Sequence, residues 1–338
     1  MLTITSGHGF GGTPDVIFPT FSLKEVSFLK TPRYFLMVSV LTDTGGIIVS
    51  LFGTTRSLDA LTHGADQLKH WRDVPLLRAI SLGVASVEAD VWNVDGQLLV
   101  GHETAALTAN RTFDSLYIQP LLEILAGQNP TDEFNMNVTT PNGVFDTSSG
   151  TPLQLLVDMK TDGVQYASGI HENCVLKRLL MHRTLPLVLA ALQPLRNANY
   201  LTTAVQGILH IGAVTVVGTG NTPLEGIQAL EPRDMFFDAP LNALNDSSIN
   251  AVWNASLAPI ASVDYEAVVG WNGIQNITEE QRSAIITLVE SAHSFGIKAR
   301  FWDTPAWPIQ ARDNVWRELL DDGADWLNAD DLEAASKF

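Results

Sequence analysis

A single cysteine, Cys174, stands in a chain of 338 residues, so no intramolecular disulfide can form and the fold must be held by its core. It reads as a small inert residue rather than a nucleophile. Basic side chains are scarce as well: 20 Lys and Arg face 37 Asp and Glu, for a net charge of −17. Phosphate backbones are held by clustered Lys and Arg, so this balance excludes a nucleic-acid partner. It would also repel a phosphate-bearing substrate unless a cation or a local lysine intervenes. Long apolar runs are missing too. The longest apolar window, Tyr34 to Phe52, is interrupted by Asp43, Gly45 and Gly46. An Asp near the centre of a membrane helix costs about 2.5–3.5 kcal/mol on insertion scales, which argues against a span. The opening residues MLTITSGHGFGG lack the positive start and apolar stretch of a secretory signal. No G-x-G-x-x-G or Walker sequence follows any of the strands predicted below, which lowers a doubly wound nucleotide-binding sheet, and no G-x-S-x-G, H-E-x-x-H or paired-cysteine motif occurs.

What is present is an ordinary globular composition, 46% apolar, which excludes wholesale disorder. Five glycosylation acceptors, at Asn110, Asn137, Asn245, Asn254 and Asn276, together point to the secretory pathway. Up to about residue 70 Gly, Ser and Thr break every short apolar run. From Val74 onward, runs rich in β-branched residues alternate with amphipathic ones. Strands are predicted at VASVEADVW (84–92), LLVGHE (98–103), LQLLVDMK (153–160), AVTVVGT (213–219), DMFFDAP (234–240), AVVGW (267–271), IKARFWD (297–303) and ADWLNAD (324–330). Helices are predicted between them, among them 115–127, 173–196, 278–296 and 311–323. Such alternation implies parallel βαβ units and is long enough for a (β/α)8 TIM barrel. The expected organisation is an irregular N-terminal extension over 1–70 and the barrel over 71–338. Residues 129–152, polar and rich in Pro and Gly, read as a long insertion.

Barrel chemistry sits at the carboxyl ends of strands. Glu88 and Asp90 lie two apart in one strand, and the period of two sends both to one face, with apolar Val87, Ala89 and Val91 on the other. Two carboxylates this close repel unless a cation lies between them, and Mg²⁺ suits oxygen ligands. Asp158 and Lys160 repeat the geometry in LLVDMK, either as a third carboxylate with a phosphate-binding ammonium or as a structural ion pair. His102, at the end of LLVGH, is a candidate general acid or base. Trp302 and Asn328 add an aromatic wall and a polar group near the last strands. The other histidines show no metal-ligand spacing.

The segments SVEADVW, GHE, LLVDMKTDG, TVVGTGNTP, FFDAPL, GIKARFWDTPAWP and VWRELLDDGADWLNADDL resemble the fungal altered inheritance of mitochondria proteins of the number-six type. These lie within the phospholipase-C-like phosphodiesterases, with the glycerophosphodiester phosphodiesterases and sphingomyelinase D enzymes. The resemblance runs from about Trp71 to the end. It implies a (β/α)8 barrel and Mg²⁺-dependent attack on a phosphodiester, with Glu88, Asp90 and Asp158 as metal ligands. It further implies His102 as a catalytic histidine, Lys160 on the phosphate, and Trp302 and Asn328 beside the substrate. The implied partner is a phosphodiester or phospholipid-derived small molecule, with contact to a membrane surface and a monomeric state. One segment departs from the pattern. The family has H-S-H-N-D-Y before W-R-x-V-P-L, whereas this chain reads ALTHGADQLKHWRDVPL, and an ungapped alignment puts the two histidines on Ala65 and Gln67. Either the chain binds a metal or head group without turnover, or the segment before Trp71 is wrongly joined; the transcript across codons 50–72 separates these. Glycoside hydrolysis competes, but it needs two carboxylates across a scissile bond, roughly 5–9.5 Å apart, and gives Lys160 no role.

Overall fold

The computed structural model describes residues 74–131, 140–161 and 184–338, together with the backbone of three strands at 38–43, 46–51 and 60–62. The chain divides into two compact units, Met1–Arg56 and Ser57–Phe338. In the first, β1 (Val38–Asp43) and β2 (Gly46–Leu51) pair antiparallel as a hairpin.

The second unit is built on one sheet. Its strands are β3 (Ala60–Thr62), β4 (Ser86–Val94), β5 (Gln97–Val100), β6 (Leu153–Met159), β9 (Val214–Gly220), β10 (Phe236–Pro240), β11 (Ile260–Asp264), β12 (Lys298–Trp302) and β13 (Trp326–Asn328). A separate antiparallel hairpin, β7 (Thr203–Val205) with β8 (Ile208–His210), lies between β6 and β9 in sequence. The order across the sheet is β3-β13-β12-β11-β10-β9-β6-β4-β5. Eight strands are mutually parallel and curl round, and the three-residue β3 also pairs with β4. Only β5 runs antiparallel, returning beside β4 through Asp95 and Gly96. Both turn residues have positive φ, 49° and 85°, as a tight two-residue hairpin turn requires.

The class is α/β, but the expected (β/α)8 TIM barrel is corrected by the helical layer. Long helices follow β11 and β12, at Glu279–Ser294 and Ile309–Asp321. After β9 there is only Leu224–Gln228, five residues, and after β10 a three-residue 3-10 turn at Leu241–Ala243. The reason is local. Pro223 and Pro232 bracket the first crossover, while in the second Asp246 and Asn254 turn their side chains onto the amides of Ser248, Ser256 and Leu257. Such side-chain bonds compete with helix formation. Among the described residues the result is a curled, mostly parallel sheet incompletely covered by helices.

Strand positions shift in one place. AVVGW, predicted as a strand, forms the short helix Tyr265–Val268 and the turn after it, because the Asp264 carboxylate accepts from the Ala267 amide and caps that helix. The strand is instead the preceding β11. The predicted helix at 278–296 is observed as Glu279–Ser294, opened by a reciprocal capping box between Thr278 and Gln281.

Alternation along the strands separates two apolar clusters. On one face Val87, Ala89, Leu155, Val157, Val216, Ala261, Ala299 and Phe301 join helical Leu121, Ile285, Val289, Val315 and Trp316 in the main core. On the other, Leu156, Val217, Phe236, Ile260 and Trp326 form a smaller cluster with Ala204 of β7. The next inward position along β4 and β6 is polar. Among the described residues no helix is long and apolar enough to cross a membrane.

Phe236 is wholly buried in the smaller cluster, whereas Val252 is 82% exposed. Phe236→Ala is expected to cost about 3–5 kcal/mol and Val252→Ala less than about 0.5 kcal/mol, measured by urea denaturation.

Candidate functional site

The site grows from the register between β4 and β6, in which Asp90 lies directly beside Asp158 and Glu88 beside Leu156. Parallel in-register pairing puts neighbouring side chains on the same face. Glu88, Asp90 and Asp158 are all buried, and each offers an oxygen within 4.8 Å of the others. Lys160, the residue after β6, brings its ammonium to 2.6 Å from Asp158 Oδ2 and 3.4 Å from Asp90 Oδ1. His102, two residues beyond β5, sets Nδ1 3.5 Å from Asp90 Oδ2. The indole N–H of Trp92 donates to the Gly101 carbonyl at 2.6 Å, which fixes the chain just before His102.

The sequence reading missed a second basic group. Arg300, central in β12 and wholly enclosed, donates from Nη2 to Glu88 Oε2 at 2.9 Å and to Asn328 Oδ1 at 2.9 Å, with Nε 3.3 Å from the same Asn328 oxygen. Its Nη1 lies 3.7 Å from Asp238 on β10 and 3.4 Å from the Ser262 hydroxyl on β11. Asn328, predicted as a polar group at a strand end, is therefore the acceptor that orients Arg300. Trp302 closes β12 two residues beyond Arg300, on the same face, and is half-buried. Tyr117 donates its hydroxyl to the Glu88 backbone carbonyl at 2.9 Å. Thus Glu88, Asp90, Asp158, Lys160 and His102 come together, while Trp302 and Asn328 lie on strands across the sheet and join them through Arg300's row. His63, His70, Ala65, Gln67 and Cys174 lie outside the described residues.

The electrostatics follow from burial. Asp158 is pushed up to about 6 by desolvation and the charge of Glu88, against the pull of Lys160. Asp238 also rises to about 6, chiefly through burial, with Arg300, Ser262 and Thr219 opposing it. The Thr219 hydroxyl donates to Asp238 Oδ2 at 3.0 Å, and Oδ1 has no hydrogen-bond partner. Burial would lower the Lys160 pKa, but Asp90 and Asp158 outweigh it and raise it to about 12. Burial and the nearby Asp90 and Glu88 charges push the Tyr117 phenol upward as well. Gly220, at φ 62°, ends β9 against Asp158, and a methyl group there would overlap that carboxylate.

The protein is thus an α/β protein whose parallel sheet carries a buried acidic cluster with a lysine and a histidine beside it. Comparison with known proteins identifies the family. Residues 60–238 match the AIM6-like phosphodiesterase domain. The altered inheritance of mitochondria protein 6 homolog of Arthroderma benhamiae is 36% identical over 330 residues, 94% of this chain and 95% of that one. The altered inheritance of mitochondria protein 6 of Eremothecium gossypii is 35% identical over 84% of this chain and 71% of its own length. That of Saccharomyces cerevisiae is 30% identical over 80% and 68%. The chain belongs to this fungal family, with its phosphodiesterase-like domain. No solved structure matches it.

Gly220→Ala combines the left-handed backbone with the overlap, and is expected to destabilise by about 1–3 kcal/mol. Gly127→Ala, in a helix with open space around it, stabilises by about 0.5–1 kcal/mol; urea titrations compare the two. Asp238 predicts a pH dependence. With its pKa raised from 3.8 to about 6, the folded state holds a proton that the unfolded chain releases. Its contribution to stability is present in full below 3.8 and is lost as pH rises through about 6. Thermal melts from pH 4 to 7 in chelator are expected to show that loss, with a shallower slope in Asp238→Asn.

Proposed function

We propose that this chain is a Mg²⁺-dependent phosphodiesterase acting on a small phosphodiester or phospholipid-derived head group. The observation that carries the reading is the charge balance of the buried layer. Glu88, Asp90, Asp158 and Asp238 face Lys160 and Arg300, which leaves two negative charges, the charge of one divalent cation. Glu88, Asp90 and Asp158 are the residues that would hold it, and an all-oxygen set suits a hard ion. Bound there, the ion supplies Lewis-acid polarisation of a phosphoryl oxygen.

The remaining work belongs to side chains of the chain itself. Lys160, its side chain 21% exposed, stays protonated at neutral pH and meets an incoming phosphate oxygen as a fixed point charge. Asp90 lies beside the His102 ring, Oδ2 3.5 Å from Nδ1, and the ring, 24% exposed, gives or takes a proton at the leaving or attacking oxygen. The departure from H-S-H-N-D-Y supports a second reading, in which the ion and head group are bound without turnover. The exposed acceptors Asn110, Asn245 and Asn276 support a secretory placement, checked by a gel-mobility shift on removal of N-glycans.

Hydrolysis of bis(4-nitrophenyl) phosphate is the test. With Mg²⁺, His102→Ala is expected to lower kcat by about 10²- to 10⁴-fold while keeping the thermal stabilisation by Mg²⁺, and Asp90→Asn is expected to lose both. Stabilisation without turnover in the unmodified protein selects the binding-only reading. Because Asp158 takes up a proton as pH falls through about 6, Mg²⁺ stabilisation fades below that pH and is complete above it.

A further inference from the structure

Arg300 makes contacts beyond those needed to offset charge. Its Nη2 is committed to Glu88 Oε2, so one of that carboxylate's two oxygens is held by a guanidinium. The guanidinium cannot swing aside, because Asn328 accepts from both Nε and Nη2, Ser262 lies at Nη1, and the side chain is 2% exposed. Lys160 does the same to Asp158, taking Oδ2 at 2.6 Å. An ion in this cluster therefore meets Glu88 and Asp158 through one oxygen each. Ca²⁺ takes six to eight oxygens and gains from bidentate carboxylates, whereas Mg²⁺ is octahedral and retains several waters. We infer that Arg300 determines ion selectivity, favouring Mg²⁺ over Ca²⁺ by restricting Glu88 to a single oxygen.

This inference rests on the cation reading above, and Arg300 acts as a positioning residue through Glu88. Isothermal titration of the full chain with MgCl₂ and CaCl₂ tests it without any substrate. In Arg300→Met, Glu88 gains its second oxygen, and the ratio of Ca²⁺ to Mg²⁺ affinity is expected to rise about 10-fold. Arg300→Lys keeps the charge without the planar fork, and a smaller rise in the same direction is expected. A generally loosened fold lowers both affinities together and leaves the ratio unmoved. If Arg300→Met is unfolded by circular dichroism, Arg300→Lys and Asn328→Ala, which removes the acceptor fixing the guanidinium, decide the matter. An unchanged ratio in the folded variants overturns the inference and leaves the cation reading standing. Absence of heat from either ion with the unmodified protein overturns both.

Discussion

Three carboxylates buried within reach of one another repel strongly, and the rest of the site is arranged around containing that repulsion. Charges out of water interact at low effective dielectric, so an unbalanced cluster of this kind would unfold its surroundings or stay protonated. Lys160 contains it from the β6 side and Arg300 from the β12 side. The two cations come from strands separated by three others in the sheet, which is possible only because the sheet curls. The curled sheet also buries the small inner cluster of Leu156, Val217, Phe236, Ile260 and Trp326. The apolar layer below supports the polar layer above.

That stacking explains why the site is both strained and usable. Asp158 and Asp238 are held with pKa values near 6, a cost of burying acids that their partners only partly offset. Groups kept in this condition respond to any added positive charge. Lys160 and His102 are partly exposed, while Arg300 and Glu88 are closed off.

How much of this was legible in the sequence depends on distance along the chain. Glu88 with Asp90, and Asp158 with Lys160, sit two apart in strands whose other face is apolar, so the period of two exposes them directly. Asp238 is the single ionisable residue inside FFDAP, and Arg300 shares KARFW with Lys298, which is exposed while Arg300 is buried, so nothing near either marks it as interior. Arg300's carboxylate partner is 212 residues away, a relation that only the folded sheet displays. The fold was legible as α/β from its alternation, but the missing helices were not. The crossovers after β9 and β10 contain enough Leu, Ile and Ala to suggest helices, and it is their Pro, Asp and Asn side chains that divert the backbone. The same local competition at Asp264 moved a strand seven residues upstream of the AVVGW prediction.

The reversal at Asp95 and Gly96 has a consequence for inheritance and design. Because β5 doubles back on β4, His102 and the Asp90 carboxylate beside it are twelve residues apart on one hairpin. Their spacing is set by a single turn and not by closure of the sheet, so they travel as one cassette. Changes elsewhere in the chain, including any in the segment before Trp71, leave the local geometry of that pair intact.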